Sequence, residues 1–298
     1  MAYDGGMDFG HVSPFSQIRK LFLLGRRIVF IPNPGNLGDA LICAATVQAF
    51  ERAGITYSVF SSLSAHSADF VYVYGGGGNL VPYYDQCASV LRGLSALKAE
   101  VIVLPHSCHG DVAAEVISSF GGNLSVWARE RASYSFLSSL PGSFNRGIWH
   151  DLALELRLSD RRFRHLQVFD NLSRLAGAGV RELFAFRGDC ESVGGLCNEA
   201  GGNVDLPDVL GKISSVDIGF GLSSLDVNSL FCSVSWFLAY IDLFRMVRTD
   251  RLHVAIGTLL LNKNVFLYDN SYGKCGAVYD YSLRERFGDL VVPMWGVP

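Results

Sequence analysis

The chain has 298 residues, of which 49% are hydrophobic and 18% charged, and its formal net charge is -3 at pH 7. This length is enough for a large core and two domains of ordinary size, and the slightly acidic balance gives no reason to expect nucleic acid as a partner. The seven cysteines are scattered without a C-x-x-C pair, which indicates neither a metal site nor a disulfide framework and is typical of a reducing compartment.

Two apolar stretches bear on membrane contact. Leu21–Leu24 is too short for the apolar region of a signal peptide. The uncharged run Val227–Ile241 is shorter than the roughly 20 residues that a membrane span needs, so we interpret it as a buried helix. We expect a cytoplasmic protein. Peripheral contact with the inner membrane face would use the basic cluster Arg161–His165, although a solvated loop is the simpler interpretation of that cluster.

Apolar runs alternate with helical segments along the first half of the chain. Arg27–Ile31 predicts a buried strand, followed by a loop rich in Gly, Pro and Asn and a helix from about Asp39 to Ala53. Further strands are predicted at Thr56–Phe60, Phe70–Tyr74, Glu100–Leu104 and Leu124–Ala128, and helices at Pro82–Lys98, Asp111–Phe120 and Glu130–Leu140.

The segment Leu152–Gly179 has a less regular pattern. After it, the alternation of apolar runs and helical segments resumes. It predicts parallel sheets covered by helices, and we divide the chain into two α/β domains, residues 1–155 and 156–298. The second-half elements are strands at Leu183–Phe186, Val216–Ile218 and Val265–Tyr268, and helices at Ser233–Met246 and Val254–Leu261.

In an open parallel sheet, ligands bind at the carboxyl ends of the strands, and the loop Pro32–Asp39 (PNPGNLGD) follows the first strand. Gly35 and Gly38 allow close approach of a ligand, and the following helix N-terminus favours an anion. Taken alone, the loop is more simply a strand-to-helix turn with Asp39 as its N-cap.

Two further loops carry glycine and histidine. Gly75–Leu80 (GGGGNL) fails the G-x-G-x-x-G fingerprint at Leu80, so a nicotinamide cofactor is not expected. Four consecutive glycines still indicate a ligand or another backbone at very close range. Leu104–His109 (LPHSCH) holds two imidazoles, but no carboxylate or cysteine pattern completes a metal site, so no metal is predicted.

Charged residues mark the remaining strand ends. Arg129, in the sequence ARE, is expected to point into a cleft, a solvated pair with Glu130 being the alternative. Val247–His253 (VRTDRLH) and Asn270–Lys274 (NSYGK) combine two arginines, a histidine and a lysine. That set suits a small, multiply charged anion and acid–base chemistry. Together with His150-Asp151 and Arg187–Glu191, eight such loops indicate a cleft between two domains.

These motifs, in this order and over about residues 28 to 282, resemble the polysaccharide pyruvyltransferases. The matching segments are GNLGD (Gly35–Asp39), GGGGNL, LPHS, ARE, RGDCE (Arg187–Glu191), TDRLH (Thr249–His253) and DNSYGK (Asp269–Lys274). The resemblance implies two Rossmann-like domains facing across a cleft, similar to the two-domain GT-B type glycosyltransferase fold.

The resemblance also implies an activity. Phosphoenolpyruvate would donate a pyruvyl group to sugar hydroxyls of a glycan or lipid-linked glycan precursor, forming a pyruvate ketal in exopolysaccharide or cell-envelope glycan biosynthesis. No cofactor and no metal is implied. Two alternatives stay open. One is a nucleotide-sugar-dependent glycosyltransferase of the same fold, with Glu191 on the ribose. The other is a glycan-binding protein without catalysis.

By position, the resemblance associates Arg129, Arg251 and His253 with donor binding and catalysis. We expect the two arginines to clamp the donor from opposite domains and His253 to move protons, with Asp250 orienting it or capping a helix. The residues expected to contact the substrates are Asn36, Asp39, Gly76, Gly77, Asn79, His106 and Lys274.

Overall fold

The computed structural model describes residues 13–33, 35–163, 182–186 and 226–295. It contains two β-sheets with helices packed against them, so the chain is α/β as predicted. The first sheet is formed by β1 (Arg27–Ile31), β2 (Tyr57–Val59), β3 (Phe70–Tyr74), β4 (Gly77–Leu80), β5 (Glu100–Cys108), β6 (Asn123–Ala128) and β7 (Asn145–Ile148). The second is formed by β8 (Glu182–Ala185), β9 (Met246–Thr249), β10 (Asn264–Leu267) and β11 (Val291–Pro293).

Nine α-helices lie among the described residues, several of them short. They are α1 (Pro14–Leu23), α2 (Leu37–Ala53), α3 (Gln86–Ala96), α4 (Asp111–Ser118), α5 (Arg131–Ser139), α6 (Val227–Asp242), α7 (Leu252–Leu260), α8 (Lys274–Val278) and α9 (Arg284–Phe287). A short 3-10 helix, Leu152–Glu155, follows the last strand of the first sheet.

The strand order of the first sheet is β2-β1-β3-β5-β6-β7, and the second sheet runs β11-β10-β9-β8. Every pairing among these strands is parallel. In the first sheet β2 lies on one side of β1, and β3 lies on the other side. Connections from β1 and β3 therefore leave in opposite directions, which opens a crevice at their carboxyl ends. The predicted division after residue 155 lies between the two sheets and stays a prediction.

Two segments predicted as loops are strands. The GGGGNL segment enters β4, which continues beyond the end of β3 and pairs with β5, with Gly77 opposite His106 and Leu80 opposite Cys108. The strand β5 therefore extends through Cys108 instead of ending at Leu104. His106 consequently lies inside a central strand and not in a strand-end loop.

Other boundaries also differ from the prediction. Asp39 is not the N-cap of α2; that residue is Asn36, and Asp39 accepts a hydrogen bond from the Asn36 backbone N–H at 3.0 Å to complete a capping box. Helix α6 ends at Asp242, and Met246, predicted as helical, begins β9. The strand β7 was not predicted because its sequence, NRGI, is short and mostly polar. The predicted strand Val216–Ile218 lies outside the described residues.

Helix α2 is buried on all sides. Every residue from Leu37 to Phe50 except Asp39 is buried, because α2 lies between the first sheet and helices α6 and α7 of the second half. One continuous apolar cluster joins these layers, from Phe30 on β1 through Leu41 to Ile256 on α7. The opposite face of the first sheet packs against α3, α4 and α5.

The segments considered for membrane contact are largely engaged within the protein. Helix α6 buries most of its apolar residues, including Phe231 and Leu238, although Trp236 is half exposed. Within the basic cluster Arg161–His165, Arg162 forms ion pairs with Glu51 and Asp160 and lies over the Phe231 ring, while Arg164 and His165 lie outside the described residues. Within the described ranges, no helix combines the length and apolar character needed to cross a bilayer.

Gly38 of α2 lies directly against His253 of α7. A Cβ at this position would lie 2.7 Å from both Cβ and Cγ of His253, so Gly38→Ala should lower the free energy of unfolding by about 1–3 kcal/mol through overpacking. Gly93→Ala on α3 is the matched control, since its Cβ would meet only the Leu63 side chain, whose nearest atom is the movable terminal Cδ1 at 2.8 Å, and alanine favours a helix. Urea denaturation measures both; equal stabilities would contradict the packing argument.

Candidate functional site

The carboxylate of Asp151 joins the two halves of the site. Asp151 lies just after β7 and is fully buried, and its Oδ2 accepts a hydrogen bond from Nη1 of Arg129 at 2.9 Å. The same oxygen lies 3.4 Å from Nε2 of His253, which is carried by α7 in the second half. Two of the three predicted catalytic residues are therefore brought together, on a carboxylate that the sequence analysis did not select.

The surroundings keep Asp151 ionised. Burial alone would raise its carboxyl pKa, but the charges of His253 and Arg129, and a hydrogen bond from the Ala153 backbone N–H, hold that pKa well below its ordinary value. Asp151 is therefore within hydrogen-bond reach of the His253 ring, and the expected alternatives for Asp250, orienting His253 or capping a helix, stay predictions. Asp250 is buried, and its backbone carbonyl accepts a hydrogen bond from the Cys275 thiol.

Arg129 does not project into an open cleft. Its side chain is 1% exposed, and in addition to Asp151 it donates from Nε to the Ser107 hydroxyl at 2.9 Å. Glu130 is not the solvated partner that the alternative required: it is buried and accepts hydrogen bonds from the hydroxyls of Ser107 and Ser133. Arg129 is therefore the buried counter-ion of two carboxylates.

The carboxyl pKa of Asp39 is shifted in the opposite direction to that of Asp151. Burial raises the pKa of its carboxyl, and the nearby charges of His253, Arg129 and Lys274 only partly oppose that effect. Gly38, the residue before it, contacts the His253 ring. The His253 imidazole is therefore within hydrogen-bond reach of a carboxyl group that favours the ionised form, and its charge also acts on a second carboxyl group that is biased toward the neutral form.

A chain of buried hydrogen bonds leads to Asp39. Nε2 of His106 lies 2.8 Å from Oδ1 of Asn79, whose Nδ2 donates to Oδ1 of Asn33 at 2.6 Å. Asn33 in turn donates from Nδ2 to Asp39 at 3.3 Å, while the Tyr74 hydroxyl donates to Asn33 Oδ1 at 3.0 Å. Burial and the nearby Arg129 charge lower the pKa of His106 to about 3, so its imidazole is neutral.

The four consecutive glycines are explained by the protein's own atoms. A Cβ on Gly75 would lie 2.7 Å from the Asn33 backbone nitrogen, and one on Gly77 would lie 2.1 Å from the Asn33 amide nitrogen. Gly76 faces the Pro105 carbonyl, and Gly78 faces Arg129. The predicted close approach therefore occurs within the molecule. Gly76 and Gly77 serve to pack the crevice wall.

Three predicted residues remain partly accessible beside the buried network. His253, Arg251 and Lys274 are all of intermediate exposure. Arg251 is the N-cap of α7 and donates from Nε to the Phe186 carbonyl at 3.4 Å. Lys274 begins α8, with its Nζ 5.4 Å from the centre of the Tyr272 ring. These groups offer positive charge at the carboxyl ends of β9 and β10.

No group of three or more His, Cys, Asp or Glu side chains in the described part of the chain is arranged to hold a metal ion. Asn36, predicted to contact substrate, caps α2 through its side chain, which accepts from the Gly38 backbone N–H at 2.8 Å. The loop Arg187–Glu191, with the candidate ribose ligand Glu191, lies outside the described residues.

Sequence reasoning named Asp151 only as part of a strand-end loop, without a role in the site, and it did not single out Asn33 or Tyr74. Asp151 follows the unpredicted strand β7, and recognising that strand would have placed Asp151 at a carboxyl end beside Arg129. Asn33 and Tyr74 follow and end neighbouring strands β1 and β3. Their position at the point where the strand order reverses was the available signal.

Comparison with known proteins adds information about the fold. No protein-family model matches the chain, and no protein with a curated description does. The structure is similar to the crystal structure of a functionally uncharacterised protein from Klebsiella pneumoniae subsp. pneumoniae NTUH-K2044, with a TM-score of 0.67 and 26% sequence identity. The match covers 93% of this chain and 98% of that one, so the two proteins share their overall architecture.

The buried Arg129–Asp151 pair predicts a specific pattern of stability. Asp151→Asn should lower the free energy of unfolding by about 3–5 kcal/mol, because it removes the nearer of the two carboxylates that balance a buried guanidinium. Adding Arg129→Met should recover part of that loss. The exposed pair Arg92–Asp85 supplies the control, and Asp85→Asn should change stability little. Strictly additive losses in the Asp151 and Arg129 variants would contradict a coupled pair.

Neutral His106 predicts a pH dependence. Between pH 7 and 5 the unfolded chain gains a proton at this residue, with a pKa of about 6.5, while the folded chain does not. The unfolding free energy should therefore fall by about 2 kcal/mol over this range because of His106. His106→Gln should lose about that much less than the parent protein, as measured by urea denaturation at both pH values. His66→Gln controls for loss of a histidine outside the network; equal losses for parent and His106→Gln would show that His106 is not buried in its neutral form.

Proposed function

We propose that this protein transfers a pyruvyl group from phosphoenolpyruvate to two hydroxyls of a sugar, on a glycan or a lipid-linked glycan precursor, as the resemblance to the polysaccharide pyruvyltransferases implies. The observation that carries the proposal is the meeting of Arg129 and His253 on Asp151. These two residues lie far apart in sequence and on different halves of the fold. Their convergence supports a shared role in one site.

The finer fold proposal is a pair of Rossmann-like domains facing across a cleft, as in GT-B type glycosyltransferases. Two observations support it. The strand order of the first sheet reverses at β1, and residues following β1, β7 and β9 contact one another across the two halves. Ligands of open α/β sheets bind at such strand ends.

The donor would be held by the accessible cations. Phosphoenolpyruvate carries a phosphate and a carboxylate, which suit Arg251 and Lys274. Arg251 forms no side-chain cap on α7, so the first N–H groups of that helix add positive potential at the same place. In this proposal Arg129 does not clamp the donor directly. It positions Asp151, and through it His253.

The reaction needs one proton delivered to carbon and two removed from oxygen. His253, or Asp39 in its neutral form, protonates the methylene carbon of the donor, and a sugar hydroxyl adds to the neighbouring carbon as its proton is taken up. The carbon–oxygen bond to phosphate then breaks, inorganic phosphate leaves, and a second hydroxyl closes the ketal and releases its proton. Ionised Asp151 stabilises the imidazolium form of His253 during these steps.

Mass spectrometry of glycoside panels incubated with phosphoenolpyruvate tests the reaction class. The expected product gains one pyruvate minus water, with release of inorganic phosphate. Transfer from a UDP- or GDP-sugar with no reaction of phosphoenolpyruvate would instead establish the nucleotide-sugar glycosyltransferase. Activity that survives exhaustive chelation would agree with a mechanism that uses no metal.

His253→Asn separates a catalytic from a structural role. The variant should keep a melting temperature near that of the parent and still bind phosphoenolpyruvate, while kcat falls by roughly 10²-fold or more because a proton carrier is lost. His66→Asn, at a distance from the site, should retain activity. A folded, donor-binding His253→Asn enzyme with near-normal turnover would remove His253 from the mechanism.

A further inference from the structure

Three aromatic side chains form a cluster at the mouth of the site. Tyr83 lies in the turn after β4, His109 directly follows β5, and Tyr272 lies in the turn before α8. The ring centres of Tyr83 and Tyr272 are 5.9 Å apart, and those of His109 and Tyr272 are 5.5 Å apart. The cluster is therefore built from both halves of the chain, at the carboxyl ends of the strands.

The cluster adjoins the charged groups described above. The Lys274 ammonium lies over the Tyr272 ring, and Tyr272 lies within electrostatic range of the Arg129 guanidinium. A ligand on the aromatic surface would consequently lie beside the cations proposed to hold the donor.

Two features of the cluster suit a ligand with both apolar and hydroxyl surfaces. Tyr83 is 47% exposed, which is unusual for a large aromatic ring packed against another. Nε2 of His109 is buried and has no hydrogen-bond partner among the described residues, although buried polar atoms are normally paired. Burial also lowers the pKa of His109, which favours a neutral ring able to exchange hydrogen bonds with a hydroxyl.

We propose that Tyr83, His109 and Tyr272 form the subsite for the acceptor's sugar ring, in which a pyranose lies against the tyrosines and one of its hydroxyls bonds Nε2 of His109. The C–H face of a pyranose is apolar and matches an aromatic surface, while its edge carries hydroxyls. The choice of a sugar as occupant rests on the proposed function. The subsite would hold the sugar on the side of Lys274, whose charge also acts on Asp39.

Binding is tested first without phosphoenolpyruvate. Saturation-transfer NMR with methyl galacto-, gluco- and mannopyranosides should show transfer to the ring C–H protons of at least one of them. Tyr83→Ala should weaken that binding by roughly fivefold to tenfold, because a stacking surface is lost. His109→Phe keeps an aromatic ring but removes the nitrogen, and should also weaken it.

Tyr134→Ala is the matched control, since Tyr134 is a 37% exposed tyrosine on α5 outside the cluster. It should bind glycosides like the parent. Where pyruvyl transfer is measurable, Tyr83→Ala should raise KM for the acceptor and leave KM for phosphoenolpyruvate unchanged.

The outcomes separate the subsite from the reaction. If no pyranoside binds the parent, or if Tyr83→Ala binds as the parent does, the subsite is overturned whether or not phosphoenolpyruvate reacts. If binding is lost in Tyr83→Ala and kept in Tyr134→Ala while no pyruvyl transfer occurs, the sugar subsite stands and the proposed transferase reaction fails.

Discussion

The carboxylate of Asp151 is the group on which the rest of the site depends. It is fully buried, and an isolated carboxylate in that position would be strongly disfavoured. It is tolerated because Arg129 and His253 approach it from different elements of the fold. Asp151 in turn fixes the positions of the Arg129 guanidinium and the His253 imidazole. A buried ion pair of this kind adds little to the net free energy of unfolding. Its main effect here is to fix the relative positions of the three charged side chains.

That geometry depends on the tight packing around α2. Gly38 allows the His253 ring to lie directly against the helix, and the glycines after β3 let Asn33 reach both the crevice wall and Asp39. Behind Asp39, the Asn79 amide donates to Asn33 and the Asn33 amide donates to the carboxyl group, while neutral His106 contacts Asn79 through Nε2. Because each amide has its donor and acceptor assigned by its neighbours, Asp39 is held in one orientation.

The sequence was sufficient to predict elements whose residues match their surroundings in a simple way. Apolar runs such as β1 and β3 were recognised because both faces of the sheet are covered by helices. The extension of β5 through His106 was not predicted. This part of β5 pairs with the glycine-rich strand β4, and no local sequence pattern reveals that pairing. His253 and Arg129 were found from their motifs, but Asp151 was not selected, since its importance arises only when α7 folds against the end of β7. Four glycines indicated close contact correctly, yet the contacting atoms are the protein's own.

The carboxyl groups of Asp151 and Asp39 both interact with His253, but their pKa values are shifted in opposite directions. Burial acts on both, but Asp151 accepts a hydrogen bond from Arg129 and lies within reach of His253 and the Ala153 backbone N–H, so its pKa falls while that of Asp39 rises. Groups whose environments drive their pKa values apart are able to serve different roles at one pH. In the proposed transfer, an ionised Asp151 stabilises positive charge on His253, whereas Asp39 can hold a proton close to the donor without competing for the same cations. Ketal formation requires protonation of carbon and deprotonation of hydroxyls in sequence, and an imidazole that interacts electrostatically with both carboxyls is suited to both steps.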